Sequence, residues 1–205
     1  MPEMTEQEVE DFVNNDLDEG ERDAIEHALN SPKPWAHDKF ANPTKSRLKS
    51  AKFKIKEFHK KKTQDKCCYC RRSLLDANIE TDREHIVPKG KVKSLSYNIF
   101  NLSVSCKRCN MTYKRERVEH IVDYVTIESD LRNPERYLIP HPNIDIYENH
   151  IKRLSFQDGN YEITTYKRIT DKGIFLYDFV RLDRLCVNQL DQAVSYTHLT
   201  LPTKA

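Results

Sequence analysis

The amino-acid sequence predicts an α+β fold, and three observations carry that reading. Apolar residues recur at helical spacing in the N-terminal part: Val9, Phe12, Val13, then Ala24, Ile25, Ala28, Leu29, then Leu48, Ala51, Ile55 and Phe58. Asn101-Leu102-Ser103-Val104-Ser105-Cys106 instead alternates polar and apolar side chains, as a half-buried strand does. Two Cys-x-x-Cys pairs, Cys67/Cys70 and Cys106/Cys109, close off the stretch between them.

Taken in order, residues 5–29 hold good helix formers, and Asn14 to Gly20 divides them into two short helices. Residues 1–30 therefore form an acidic helical arm. Pro32, Pro34 and Pro43 mark 31–44 as an extended linker with Trp35 as its docked anchor, and Thr44 to about Lys62 forms a basic helix, so that 31–66 is one linker-and-helix unit. Ile79 to Val87 reads as a strand, followed by a loop with Pro88 and Gly90 and by the strand 101–106. Lys107 to about Val125 then has helical character, with Val118, Ile121 and Val122 as packing candidates.

The order strand, long loop, strand, helix gives a core over 67–118. Beyond it, 119–195 is an α+β extension: Ile151 to Phe156 and Tyr161 to Tyr166 flank the turn sequence Gln157-Asp158-Gly159-Asn160, a hairpin signal, and 174–194 reads as a helix or helix pair. The last ten residues, 196–205, resemble a translated sequencing-adapter tail and are set aside from the fold, with the native C-terminus expected to be missing.

A mean hydropathy of −0.79 with 38% hydrophobic residues implies a modest core, of the kind a bound metal often stabilises. There is no apolar run long enough to span a membrane and no secretory n-region or h-region, so the cytoplasm is the expected compartment and no membrane partner is expected. In that compartment paired Cys-x-x-Cys motifs point to metal rather than to a disulfide framework. Four thiolates suit one tetrahedral structural Zn²⁺, held by Cys67, Cys70, Cys106 and Cys109; buried free thiols or a redox pair are the alternatives. Cys68 stands too close to Cys70 for a normal knuckle, and Cys186 reads as a packed thiol on an apolar helix face.

The net charge of +2 conceals a strong asymmetry. Residues 1–30 carry eleven acids against Arg22, whereas 45–66 carry ten bases against Glu57 and Asp65. Lys60, Lys61 and Lys62, with Lys89, Lys91, Lys114 and Arg115 around the core, form a candidate phosphate-binding surface. A solvated helix face is the plainer account of such a run. For the acidic residues a solubilising arm, a mask over the basic surface and a docking segment are the three readings.

Glu84-His85-Ile86-Val87-Pro88-Lys89 carries the chemistry. Phosphodiester hydrolysis needs a base for water and a cation on the phosphate; His85 suits the first, and Glu84 supplies oxygen suited to Mg²⁺ or Mn²⁺. Neighbouring strand residues face opposite ways, so both serve one site only if the chain bends there.

With Asn101-Leu102 opening the second strand and Cys106-x-x-Cys109-Asn110 opening the helix, residues 67–115 resemble the HNH endonuclease family. The resemblance implies a ββα-metal finger stapled by the four-cysteine zinc site. It implies His85 as general base, Glu84 and Asn110 as ligands of the catalytic metal, and Asn101 as the brace of the loop. Two departures stand out: Glu replaces the commoner Asp before the histidine, and Lys114 follows Asn110 after three residues where two are usual.

The wider layout, with Cys67-Cys68-Tyr69-Cys70 and the appended extension, looks like nuclease subunits of Septu-type and retron-associated phage defence, which implies DNA as substrate and an ATPase partner subunit. One finger supplies one active site, so a double-strand break requires a homodimer or two successive nicks. The competing readings are a catalytically inactive zinc-finger nucleic-acid-binding or adaptor protein, and a restriction or homing enzyme acting alone.

Overall fold

In a computed structural model the described residues are 3–75, 80–158 and 161–188, and they form a mixed α+β protein with two small antiparallel sheets. The tail 196–205, the segment 189–195, Ile79 at the expected start of the first strand, and Gly159 and Asn160 of the hairpin turn lie outside the described residues.

Helix α1 (Glu6–Asp11) opens with a capping box in which Thr5 and Glu8 satisfy each other's backbone N–H groups, and it runs on through a wide turn, Phe12–Asp16. The break expected between Asn14 and Gly20 falls at Leu17, because Asp18 caps a second helix, α2 (Glu19–Leu29). Glu21 completes this second capping box and also accepts a hydrogen bond from Lys54 at 2.7 Å, so one buried carboxylate ties α2 to the next helix.

That helix, α3 (Thr44–Lys62), buries Leu48, Ala51, Ile55 and His59. Phe12, Leu17, Ala24 and Ala28 pack into the same core as Leu48 and Ile55, together with Ile86, Val87, Leu95, Phe100 and Leu102. The acidic segment is thus part of the hydrophobic interior, with most of its charges on the outer faces.

Strands β1 (Thr81–His85) and β2 (Leu102–Cys106) pair from Thr81↔Cys106 to His85↔Leu102. After Lys107 the chain makes one wide helical turn, Arg108–Lys114, closed by an Arg115 N–H bond to Asn110 O at 2.7 Å. The helix expected to reach Val125 stops here: Arg115 takes a positive φ of 52°, which a helix cannot continue. Of its packing candidates Ile121 is buried and Val122 exposed.

The C-terminal part builds a second core around the cysteines. Helix α4 (Tyr147–His150) leads into β3 (Ile151–Asp158), which pairs with β4 (Tyr161–Arg168) in the register Ile151↔Arg168 to Asp158↔Tyr161, as the hairpin signal predicts. Helix α5 (Asp171–Phe179) packs back on this hairpin, and Gly173 permits the approach, since a Cβ there would overlap the His150 carbonyl. Where the sequence predicts further helix, Val187–Asn188 form a short strand, β5, beside β4. Cys186 lies exposed after a 3-10 turn, Leu182–Leu185, rather than on a packed helix face.

Candidate active site and metal centre

The four cysteines meet. Cys67, Cys70, Cys106 and Cys109 are buried, and their sulfurs all lie within 4.8 Å of one another. A tetrahedron with arms of about 2.3 Å has edges of about 3.8 Å. The Cys70–Cys106 sulfur separation is 3.8 Å, so that edge matches a tetrahedral Zn²⁺ site. Burial opposes ionisation of Cys67, yet hydrogen bonds from Cys106, Cys109, Cys68 and Cys70 carry its thiol well below the ordinary value. Cys68 is buried beside them but stays outside the ligand group; its N–H bonds Val104 O and anchors the first knuckle to β2. Tyr147 and Tyr166 donate their hydroxyls to Tyr69 O and Cys70 O, so the C-terminal unit buttresses the same knuckle.

Glu84, His85 and Asn110 line one cleft of about 320 Å³, with Arg83, Lys89 and Arg115 also on its walls. Glu84 is fully buried. Its Oε1 accepts from Lys114 at 2.8 Å and from Tyr69 at 3.1 Å, while Oε2 has no hydrogen-bond partner. Burial pushes its carboxyl above the ordinary value, against the pull of Lys114 and Tyr69.

His85 turns the other way on the strand. Its Nε2–H donates to Ser96 O at 3.1 Å, and this leaves Nδ1 with the lone pair. Burial, then the nearby charges of Lys89, Lys114 and Lys52, take the imidazole down to about 3, so it is neutral at physiological pH.

Asn101 does not line the cleft. Its side chain accepts from Val87 N at 2.7 Å and donates to Val87 O and Leu95 O, both at 3.1 Å, fastening the loop after β1 at both ends. Asn110 donates to Asp82 Oδ2 at 3.3 Å. That contact orients its carboxamide nitrogen toward Asp82 and leaves the oxygen for another partner. Asp82 is not among the sequence candidates; its position two residues before Glu84, on the same strand face, is the signal that points to it.

The basic residues divide. Lys89 and Arg115 reach the cleft, and Lys91 is exposed on the loop outside it. Lys114 also lines the cleft but is buried there, its ammonium shared between Glu84 and His85 O. The wide turn explains its displaced position. A turn closed by an i→i+5 bond carries more residues than an α turn, so a lysine one residue late still returns to the same face. At the end of α3, Lys62 pairs with Glu8 at 2.7 Å, Lys60 lies 3.6 and 3.5 Å from Glu57 and Asp65, and Lys61 is exposed.

The α3 lysine that reaches toward His85 is instead Lys52. It is almost wholly buried, donates to Trp35 O, and lies 4.3 Å from the centre of the Trp35 ring. Burial, then Arg83, lowers its ammonium to about 8. Trp35 packs perpendicular to His85 with ring centres 4.5 Å apart, so the linker anchor also walls the imidazole.

Among the described residues no helix is long and apolar enough to cross a membrane. Compared with known proteins, the chain is 29% identical over 142 residues to a Septu protein, PtuB, of Bacillus thuringiensis. The alignment covers 69% of this chain and 44% of that protein, so the chain spans less than half the length of the relative it matches. No family model and no solved structure matches.

Proposed function

We propose that this chain is a divalent-metal-dependent endonuclease of the HNH type, acting on DNA in phage defence. The observation that carries the reading is the convergence of Glu84, His85 and Asn110 on one cleft beside a four-cysteine staple. The hairpin β1–β2 with its wide helical turn is the ββα unit of this reading, and Zn²⁺ on the cysteines keeps Asn110 opposite Glu84.

Glu84 Oε2, a buried oxygen with no partner, and the Asn110 carboxamide oxygen form the hard donor pair for Mg²⁺ or Mn²⁺. When bound there, the cation supplies charge neutralisation on the phosphate and support for the leaving oxygen. His85, neutral and fixed by Ser96 O, accepts the proton of the attacking water at Nδ1. Arg83, Lys89 and Arg115 hold phosphate oxygens at the rim. Asn101 keeps the loop bearing Pro88 and Lys89 against β2.

The likeness to a Septu protein supports the defence role; in the proposed reading a partner subunit with ATPase activity governs cutting. A gene for such an ATPase beside this one is the corresponding genomic test. A double-strand break follows from two copies of the chain or from successive nicks.

The ion pair from Lys114 to Glu84 favours a second reading, because it occupies half of the carboxylate with an internal cation. In that reading the chain is an inactive zinc-stapled module that binds nucleic acid. Incubating plasmid and single-stranded DNA with the purified chain, alone and with its ATPase partner, separates the two. Cleavage that appears only with added Mg²⁺ or Mn²⁺ supports the nuclease; zinc retention and DNA binding without cleavage in either setting support the module.

A further inference from the structure

Beside the catalytic cleft lies a larger, almost wholly apolar groove of about 500 Å³, walled by Pro32, Pro34, Trp35 and Gly90. The two cavities share one partition. Lys89 and Glu116 line both, 4.0 Å apart, and the Glu116 carboxylate rests so close to Gly90 that a Cβ there would meet it at 2.8 Å. Lys33 and Lys93, both exposed, stand on the outer rim. The groove is therefore apolar within, has exposed lysines in its lining, and is parted from the cleft by Lys89 and Glu116. Its inner wall is fixed: Lys52, Tyr97 and His85 clasp the Trp35 ring at 4.3, 4.9 and 4.5 Å.

We infer that this groove is a subsite for one unpaired nucleobase of the strand being cut, next to the scissile phosphate. The inference rests on the nuclease reading for its substrate class. A volume of this size suits a ligand of nucleoside dimensions. An apolar slot rewards a flat, weakly polar ring, while lysines at its mouth take the phosphates on either side. A base within a duplex is paired on one edge and stacked on both faces, so it cannot enter a slot behind a partition without leaving the helix. The subsite thus makes the chain prefer single-stranded or locally unpaired DNA over intact duplex. Because Trp35 walls both His85 and the groove, occupancy by a base sits one aromatic ring away from the candidate general base.

Trp35 is the one tryptophan of the chain, so its fluorescence reports on this wall alone. Titrate the wild-type protein, without Mg²⁺ or Mn²⁺, with a short oligothymidylate and with an abasic oligomer of equal length and charge. The subsite predicts quenching by the first and binding roughly tenfold weaker by the second, the scale of one base stacked or packed on protein. Pro32→Asn, a charge-neutral polar change at an exposed position of the groove wall, should shrink that difference toward equal binding of the two oligomers. Equal affinities and equal quenching for the two oligomers overturn the subsite. The nuclease reading fails separately: base-dependent quenching by a chain that cuts nothing upholds the subsite and removes the enzyme.

Discussion

The Lys114 ammonium lies 2.8 Å from Glu84 Oε1 with both side chains out of solvent, and this pair joins the wide turn to the strand that carries the candidate chemistry. Coulomb attraction at that range is strong in a protein interior, but taking two charges out of water opposes it. The net value of the pair is therefore small, while the value of each member to the other is large.

Replacing Lys114 by Met strands the Glu84 charge. The expected loss of folding free energy is about 3–5 kcal/mol, read from urea denaturation. Combining Lys114→Met with Glu84→Gln should cost less than the sum of the single changes, since the double variant leaves no unpaired charge. Additive losses would show that the pair does not act as a unit.

Zinc removal gives a second expectation. The cysteines supply a staple to a hairpin whose strands are only five residues each, so elemental analysis should find one zinc per chain in protein purified without chelator. Cys106→Ser should lose that zinc and the near-UV signal of the ordered aromatic side chains together. Zinc-free protein with an unaltered spectrum would mean that the thiols pack as free cysteines.

Acid should destabilise the fold through its buried histidines. His59 is fully buried with neither ring nitrogen hydrogen-bonded, and burial, helped by Lys62, lowers it from 6.5 to about 3. The unfolded chain therefore takes up a proton below 6.5 that the folded chain refuses. Stability is level above that pH and falls as pH drops from 6.5 toward 3, by about 1 kcal/mol per pH unit for each such residue. His120 and His141, also taken down to about 3 by burial, act in the same direction. His59→Leu should flatten one share of the slope in chemical denaturation at mildly acidic pH; an unchanged slope would contradict this assignment.

Local chemistry is the legible part of this chain. The spacing of Cys67, Cys70, Cys106 and Cys109 announces a ligand set because thiolates three positions apart can share one ion, and their sulfurs converge. The alternation at 102–106 and the turn residues at 157–160 likewise specify strands by period and by turn chemistry. What escapes is non-local or out of period. The burial of Lys114 depends on a turn wider than the α-helical template. The pairing of Lys62 and Lys54 with Glu8 and Glu21 depends on how α1 and α2 fold over α3, which no charge count reveals. The approach of Trp35 to His85 brings together residues from a linker and a strand. Strand β5 has two residues, too few for any periodicity to register.

The proposed role of His85 is to act as the base of a metal-dependent phosphodiesterase. It is tested most directly by comparing wild type with His85→Ala for cleavage of single-stranded DNA in the presence of Mn²⁺, with zinc content and DNA affinity measured on the same preparations. A loss of cleavage of about a hundredfold or more is expected, with zinc and affinity retained. Cleavage by His85→Ala at the wild-type rate would contradict it.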